Sequence, residues 1–294
     1  MIPIRPRRSA LYMPGSNARA IEKAKTLAAD VVIFDLEDAV APDLKAQARE
    51  QVCAAVQAGG YGRRELVIRI NALDTPWGEA DLAAAVAAAP DAILVPKVSS
   101  DETLAAVGLR LRRLGAAERT RIWAMIETPL AILQAESIAS AAHDVDTRLS
   151  CFVMGTNDLA KDTRARLMPG RAAMLPWLMT ALAAARAHGI DILDGVYNTL
   201  SDADGLRAEC EQGRDCGFDG KTLIHPDQIA VANEIFAPTP DEIENARAVV
   251  AAFERPENAG KGAISLNGRM VERLHVVMAK RVLALAEAIA NGAP

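Results

Sequence analysis

Four short stretches of this sequence end in side chains able to hold a cation or an anion: Asp35-Leu-Glu-Asp38, Val67-Ile-Arg-Ile-Asn71, Glu127-Thr-Pro129 and Gly155-Thr-Asn-Asp158. Glu127 and Asp158 are two carboxylates that, at the ends of adjacent strands about 4.8 Å apart, could meet at one divalent ion. Magnesium suits such a place, because it is commonly held by one or two carboxylates while water and substrate oxygens supply the rest. The alternative is that Asp158 caps the helix after it and Glu127 pairs with Lys97. Arg69 interrupts an apolar strand, and a guanidinium there must be offset by anionic groups. An ion pair with Glu37 would do this, and so would a bidentate contact with carboxylate or enolate oxygens of a substrate. Glu37 and Asp38 stand nearby as partners of water on the cation, or of Lys97 and Arg69, and are counted with Arg69 as candidate catalytic groups.

A second feature concerns anions. Gly15-Ser-Asn opens a helix with Ser16 or Asn17 as its cap, and Arg19 and Lys23 follow four residues apart on one face. A helix start flanked by two cations can bind phosphate, although the same spacing also describes a solvated helix face. Other chemistries are poorly served. Cys53, Cys151, Cys210 and Cys216 show no Cys-x-x-Cys spacing, so they read as buried or bystander thiols. His143, His188, His225 and His275 are dispersed, with no His-Glu-x-x-His or other close pair, which argues against a zinc hydrolase.

The elements that must carry these residues alternate regularly. Eight β-rich runs, Ser9–Met13, Val31–Leu36, Leu66–Asn71, Ala92–Pro96, Arg121–Ile126, Ser150–Gly155, Asp191–Gly195 and Lys221–His225, are each followed by an Ala-rich stretch with helical periodicity, among them 17–29, 44–58, 79–88, 101–114, 131–142, 172–188 and 202–216. Eight strand–helix repeats predict an α/β fold, a (β/α)8 TIM barrel, whose chemistry sits at the carboxyl ends of the strands. A doubly wound sheet is the alternative, but no Gly-x-Gly-x-x-Gly or Walker A sequence supports it. Residues 1–236 would form the barrel. Residues 237–294 would form a C-terminal lid: a helix capped by Thr239 or Asp241, an Asn267-Gly268 hairpin turn and a last helix over roughly 275–290.

Of 294 residues, 33 are Lys or Arg and 38 Asp or Glu, a net charge of −5, and only 4% are aromatic, which makes nucleic acid an unsuitable partner. No apolar run reaches the ~20 residues that span a bilayer, and the basic start Met1-Ile-Pro-Ile-Arg-Pro-Arg-Arg8 lacks the apolar stretch of a secretory signal. A cytoplasmic enzyme that does not use a membrane is the expectation.

The sequence resembles the citrate lyase β-subunit-like branch of the HpcH/HpaI aldolase superfamily, which includes malyl-CoA, citramalyl-CoA and citryl-CoA lyases. The resemblance covers nearly the whole chain. It rests on Arg8-Ser-Ala-Leu-Tyr-Met-Pro-Gly15, Asp35-Leu-Glu-Asp-Ala-Val-Ala-Pro42 with Lys45 and Arg49 following, Val67–Asn71, Pro96-Lys97, Ile126–Pro129, Gly155–Leu159 and Gly217-Phe-Asp-Gly-Lys-Thr-Leu-Ile-His-Pro226. It implies a Mg²⁺-dependent lyase that breaks or makes a C–C bond between an acyl-CoA α-carbon and a 2-oxo acid, with coenzyme A entering as part of the substrate. It also implies roles: Glu127 and Asp158 as metal ligands, Arg69 beside the reacting thioester oxygens, and Arg19, Lys23, Ile224, His225 and Pro226 near the CoA nucleotide. Relatives carry an Asp acid/base on the C-terminal segment, reaching in from a neighbouring subunit. Here Gly268-Arg-Met-Val-Glu272 places Glu272 at that position, and a homo-oligomer, trimer or hexamer, is implied. A malyl-CoA thioesterase of the same fold and a non-catalytic CoA-binding assembly subunit are the other readings.

Overall fold

The computed structural model describes residues 4–292; Met1–Pro3, part of the basic start, and the last two residues lie outside the described residues. Eight parallel strands, β1 (Ser9–Pro14), β2 (Val31–Asp35), β3 (Glu65–Arg69), β4 (Ala92–Val95), β5 (Arg121–Ile126), β6 (Leu149–Met154), β7 (Asp191–Asp194) and β8 (Gly220–Leu223), close into a barrel in chain order. Closure is made by β1 pairing with both β2 and β8. Helices α1 (Ala18–Lys23), α2 (Lys45–Ala58), α3 (Gly78–Ala88), α4 (Asp101–Arg113), α5 (Pro129–Leu133), α6 (Ala135–Ser140), α7 (Thr156–Thr163), α8 (Leu175–Ala187), α9 (Ala203–Cys216) and α10 (Ile229–Ile235) follow the strands. The predicted (β/α)8 barrel is therefore the fold. No helix among the described residues is long and apolar enough to cross a membrane.

Period-two alternation decides which side chains enter the barrel. Ala10, Val31, Ile33, Val67, Ala92, Leu94, Trp123, Met125, Cys151, Val153 and Leu193 pack into one interior cluster. Continuing the same parity one step toward the carboxyl ends brings Tyr12, Asp35, Arg69, Glu127 and Gly155 into line with it. The amino end is closed by the buried Arg7, which pairs with Glu65 at 2.7 Å and Asp191 at 2.6 Å and lies over the Trp123 ring. One end of the barrel is thus sealed by a self-satisfied ion cluster, leaving the other for chemistry.

The helix boundaries differ from expectation in informative places. The stretch 131–142 is two short helices, α5 and α6, that meet at Gln134. The segment Thr-Asn-Asp-Leu-Ala-Lys-Asp-Thr forms α7 although its residues are mostly poor helix formers, and Asp158 lies inside its first turn, not at its cap. Asn17, not Ser16, caps α1 by accepting the Ala20 amide. Strands β7 and β8 stop at Asp194 and Leu223, one and two residues short of the runs read from sequence.

Among the described residues, Arg7–Asn233 make one compact unit, and 234–292 with 4–6 make another. The second unit contains α11 (Pro240–Glu254), a hairpin of β9 (Ala263–Leu266) and β10 (Arg269–Glu272), and α12 (Arg273–Gly292). Thr239 caps α11 in a reciprocal pair with Glu242. Asn267 and Gly268 both have positive φ, 48° and 75°, as a type I′ hairpin turn requires. Ala246, Val249, Ala252, Ile264, Val271 and Ala279 supply its own apolar core.

Candidate active site

A cleft of about 280 Å³ opens at the carboxyl ends of the strands, lined by Tyr12, Asp35, Asp38, Arg69, Met125, Glu127, Gly155–Asp158, Thr222 and Ile224 among others. A cavity of about 360 Å³ lies instead among Leu66, Ala88–Asp91 and Arg119, at the amino ends of β3 and β4. Of these it is the strand-end cleft that gathers buried acids around cations, as enzymes on this fold require.

Arg69 is the centre of the first half of the cleft. β2 and β3 are in register so that Asp35 stands beside Arg69. Asp35 receives Arg69 Nε at 2.7 Å and Nη2 at 2.6 Å, a bidentate bond between two buried groups. The third guanidinium nitrogen, Nη1, reaches Glu37 at 2.9 Å and Asp38 at 3.3 Å and touches the Met125 sulfur at 3.7 Å. The Tyr12 ring lies 4.8 Å from the guanidinium carbon, a cation–π contact. Burial alone would pull Arg69 down, but Asp35, Tyr12 and Glu37 hold it well above its ordinary value. The expected ion pair with Glu37 is present, but the dominant partner is Asp35, whose side chain also caps the turn by accepting the Glu37 and Ala39 amides. Glu37 is pushed up to about 8, first by burial and then by Glu127, Asp38 and Asp35, with Arg69 opposing. Its Oε2 is buried without a well-directed hydrogen bond. Lys45 fixes this turn from below, donating to the carbonyls of Leu36 at 2.9 Å and Glu37 at 2.7 Å.

The second half contains Glu127 and Asp158. They converge on the Lys97 ammonium, with Nζ 3.6 Å from Glu127 and 2.7 Å from Asp158. Glu127 also accepts the Lys97 backbone N–H at 2.7 Å. The expected pairing of Glu127 with Lys97 and the convergence of the two acids therefore coexist; Asp158 lies in the first turn of α7 and makes its bonds with Lys97 and Lys161. Burial pushes the Glu127 carboxyl up while Lys97 opposes. Asp158 is held below the ordinary range, because its bonds to Lys97 and Lys161 outweigh its partial burial. Gly155 makes the approach possible: a Cβ there would stand 2.3 Å from the Glu127 Cβ and 2.6 Å from its Oε2.

These carboxylates fit a magnesium ion. They already share one positive centre, the Lys97 ammonium, and both are oxygen donors of the kind magnesium takes. A cation here would take two carboxylates and complete its shell from water and substrate oxygens, as magnesium does.

The remaining candidates are more scattered. Ile224 lines the cleft, whereas His225 and Pro226 continue the chain beyond it, His225 accepting the Asp227 amide through Nδ1. Gln228 fixes that turn, accepting from the Ile224 amide and donating to the Tyr197 carbonyl. Arg19 and Lys23 are exposed on α1. Glu272 lies on β10 in the second unit, its amide donating to His275 Nδ1. Asp194, the last residue of β7, does not open to the cleft: it is buried against Arg171 at 2.7 Å and Lys221 at 3.0 Å. His143 and His188, which sequence spacing separates, meet at 3.0 Å, with Glu136 3.1 Å behind His188. Sequence reasoning missed Tyr12 and Asp35 as site residues, although inward parity with Ala10 and Ile33 would have found both.

Fold and cleft together place a buried arginine and converging carboxylates at the carboxyl ends of a (β/α)8 barrel, where enzymes on this fold carry their active sites. The sequence pattern of the HpcH/HpaI aldolase/citrate lyase family matches residues 8–226. The chain belongs to that family. It is 53% identical over 285 residues, 97% of this chain and 96% of the other, to (3S)-malyl-CoA thioesterase from Cereibacter sphaeroides. It is 39% identical to citrate lyase subunit beta of Leuconostoc mesenteroides subsp. cremoris, over 96% of this chain and 94% of that one. Among solved structures, it is similar to the protein CitE from Mycobacterium tuberculosis in complex with magnesium, acetoacetate and coenzyme A. That likeness has a TM-score of 0.76 at 29% identity and covers 97% of this chain and all of the other. The family is one of enzymes, with CoA-ester lyases and thioesterases among its members.

Proposed function

We propose that this protein is a Mg²⁺-dependent enzyme of short 3-hydroxyacyl-CoA esters and that it hydrolyses a malyl-CoA-like thioester to the free hydroxy acid and coenzyme A. The observation that carries this reading is the 53% identity to a (3S)-malyl-CoA thioesterase, which extends over 97% of the chain and is therefore not confined to the barrel. Glu127 and Asp158 would hold the cation, which when bound supplies a Lewis acid for the oxygens of the acid portion of the substrate. Arg69, fixed on two sides by Asp35 and with Nη1 left toward Glu37 and Asp38, stabilises the negative charge that grows on the thioester oxygen. Its rigidity matters, because a preorganised donor needs no rearrangement as charge develops. Arg19 and Lys23 attract the CoA phosphates from the rim. Glu272 serves as the acid/base on an arm donated by a second copy of the chain. Leu274, Val277 and Met278 on α12, between 54% and 71% exposed, suit burial against such a neighbour.

The second reading is C–C cleavage, to acetyl-CoA or a homologue and a 2-oxo acid. It is favoured by the similarity to citrate lyase beta subunits and by the same Arg69 cluster, which would stabilise a thioester enolate equally well. Hydrolysis breaks the C–S bond and lysis the C–C bond, so the products separate the two. Incubation of the full chain with Mg²⁺ and (3S)-malyl-CoA should release malate and free CoA, whose new thiol is read with a thiol-specific reagent. Acetyl-CoA with glyoxylate in place of these decides for the lyase, and inertness toward malyl-, citramalyl- and citryl-CoA sinks both readings.

A further inference from the structure

We propose that Lys97 is the resident counter-cation of the magnesium site: its ammonium holds the Glu127 and Asp158 carboxylates together until a divalent ion displaces it, and so sets how readily the site loads. This rests on the assignment of Glu127 and Asp158 as metal ligands.

Three observations support the role. Nζ is the one atom on which both acids converge, 2.7 Å from Asp158 and 3.6 Å from Glu127. The main chain of Lys97 is bonded to the same acid, its N–H donating to Glu127 Oε1 at 2.7 Å. Lys97 also adopts a left-handed backbone with φ of 54°, a conformation that disfavours non-glycine residues and must be held by its surroundings. The side chain is thus aimed by its backbone rather than captured by chance. Lys161 also touches Asp158, at 3.0 Å, but it is 68% exposed and does not reach Glu127, so it cannot unite the pair.

Nζ sits on Asp158 Oδ1 and faces Glu127 Oε1, so a cation drawn to these same two oxygens competes with the ammonium. Magnesium needs oxygens at about 2.0–2.1 Å, and a cation that close to Asp158 Oδ1 would press against Nζ. Loading therefore requires the ammonium to swing outward, which its 37% side-chain exposure permits. The arrangement has two consequences. Without metal, the buried Glu127 charge is compensated and the mouth stays ordered. With metal, the broken lysine contacts subtract from the ion's affinity.

Binding of Mn²⁺ to the full-length protein, followed by the paramagnetic signal of the free ion and by Mg²⁺ competition, tests this without recourse to turnover. Lys97→Met and Lys97→Gln should each bind Mn²⁺ at least about tenfold more tightly than the parent, since the departing ammonium gives up its attraction to two carboxylates, and that loss exceeds this factor even when fully water-screened. Lys97→Arg, which keeps the charge, should stay near the parent. If the Met and Gln variants bind no more tightly while Glu127→Gln weakens binding, the proposal for Lys97 is overturned and the metal site stands. If Glu127→Gln and Asp158→Asn leave Mn²⁺ affinity unchanged, the metal-site assignment falls, and Lys97 with it.

Discussion

Replacing Glu37 by Gln should make the protein more stable in alkaline solution and leave it nearly unchanged in acid. Glu37 is crowded by Asp35, Asp38 and Glu127 and is largely buried, and its carboxyl is raised from 4.5 to about 8 despite the adjacent Arg69. The folded protein therefore keeps a proton there that the unfolded chain has lost. A raised carboxyl contributes stability that is fully present below about pH 4.5 and is lost as the pH climbs through about 8. A shift of that size corresponds to roughly 3–5 kcal/mol of pH-dependent stability at about 1.4 kcal/mol per unit. Gln cannot ionise, so the variant escapes the loss. Melting curves in the absence of divalent ions, taken from pH 5 to pH 9, should show the variant gaining on the parent by on the order of 10 °C across the range, at about 2–4 °C per kcal/mol. A melting difference that does not change with pH, or one that favours the parent at pH 9, would refute the reasoning about this acidic cluster.

Other outcomes follow from the same geometry. Asp35→Asn removes the bidentate partner of a buried guanidinium and should destabilise the fold by about 3–5 kcal/mol, read as a drop in denaturation midpoint; a loss under 1 kcal/mol would mean that Glu37 and Asp38 suffice. Arg69→Lys should lower kcat by roughly 10²–10³-fold with a smaller change in KM, because one ammonium cannot reproduce the fork held by Asp35. A double Arg19→Ala, Lys23→Ala variant should raise KM for the CoA ester and flatten its dependence on salt while kcat holds; unchanged KM at low salt would remove these residues from the CoA site. Glu272→Gln should reduce kcat and leave Mn²⁺ affinity intact, and if kcat is preserved another group supplies the proton.

Much of the site could be read before any coordinates, for a physical reason. In a parallel barrel the carboxyl ends of all strands face one side, so Arg69, Lys97, Glu127 and Asp158 could be placed near one another from strand order alone. Strand order does not say which way each end turns. Asp194 ends its strand like the others, yet it is buried against Arg171 and Lys221 instead of opening to the cleft. Nor could the choice of partner for Arg69 be read. Asp35 and Glu37 share parity in the sequence, and only the register of β2 against β3, with Asp35 directly opposite Arg69, decides between them. The meeting of His143 and His188 depends on the packing of α6 and α8 and has no local trace. α7 is polar and short, and it is held as much by its place after β6 as by propensity.

In the proposed reaction Glu127 and Asp158 together hold the ion against which a CoA thioester is positioned at Arg69. An anomalous-scattering map from crystals of the full chain grown with Mn²⁺ and a non-hydrolysable malyl-CoA analogue tests this directly. One manganese peak is expected within bonding distance of both carboxylates, with Lys97 swung away and the thioester oxygen toward Arg69. A peak held by other residues, or a bound analogue with no metal between Glu127 and Asp158, would contradict it.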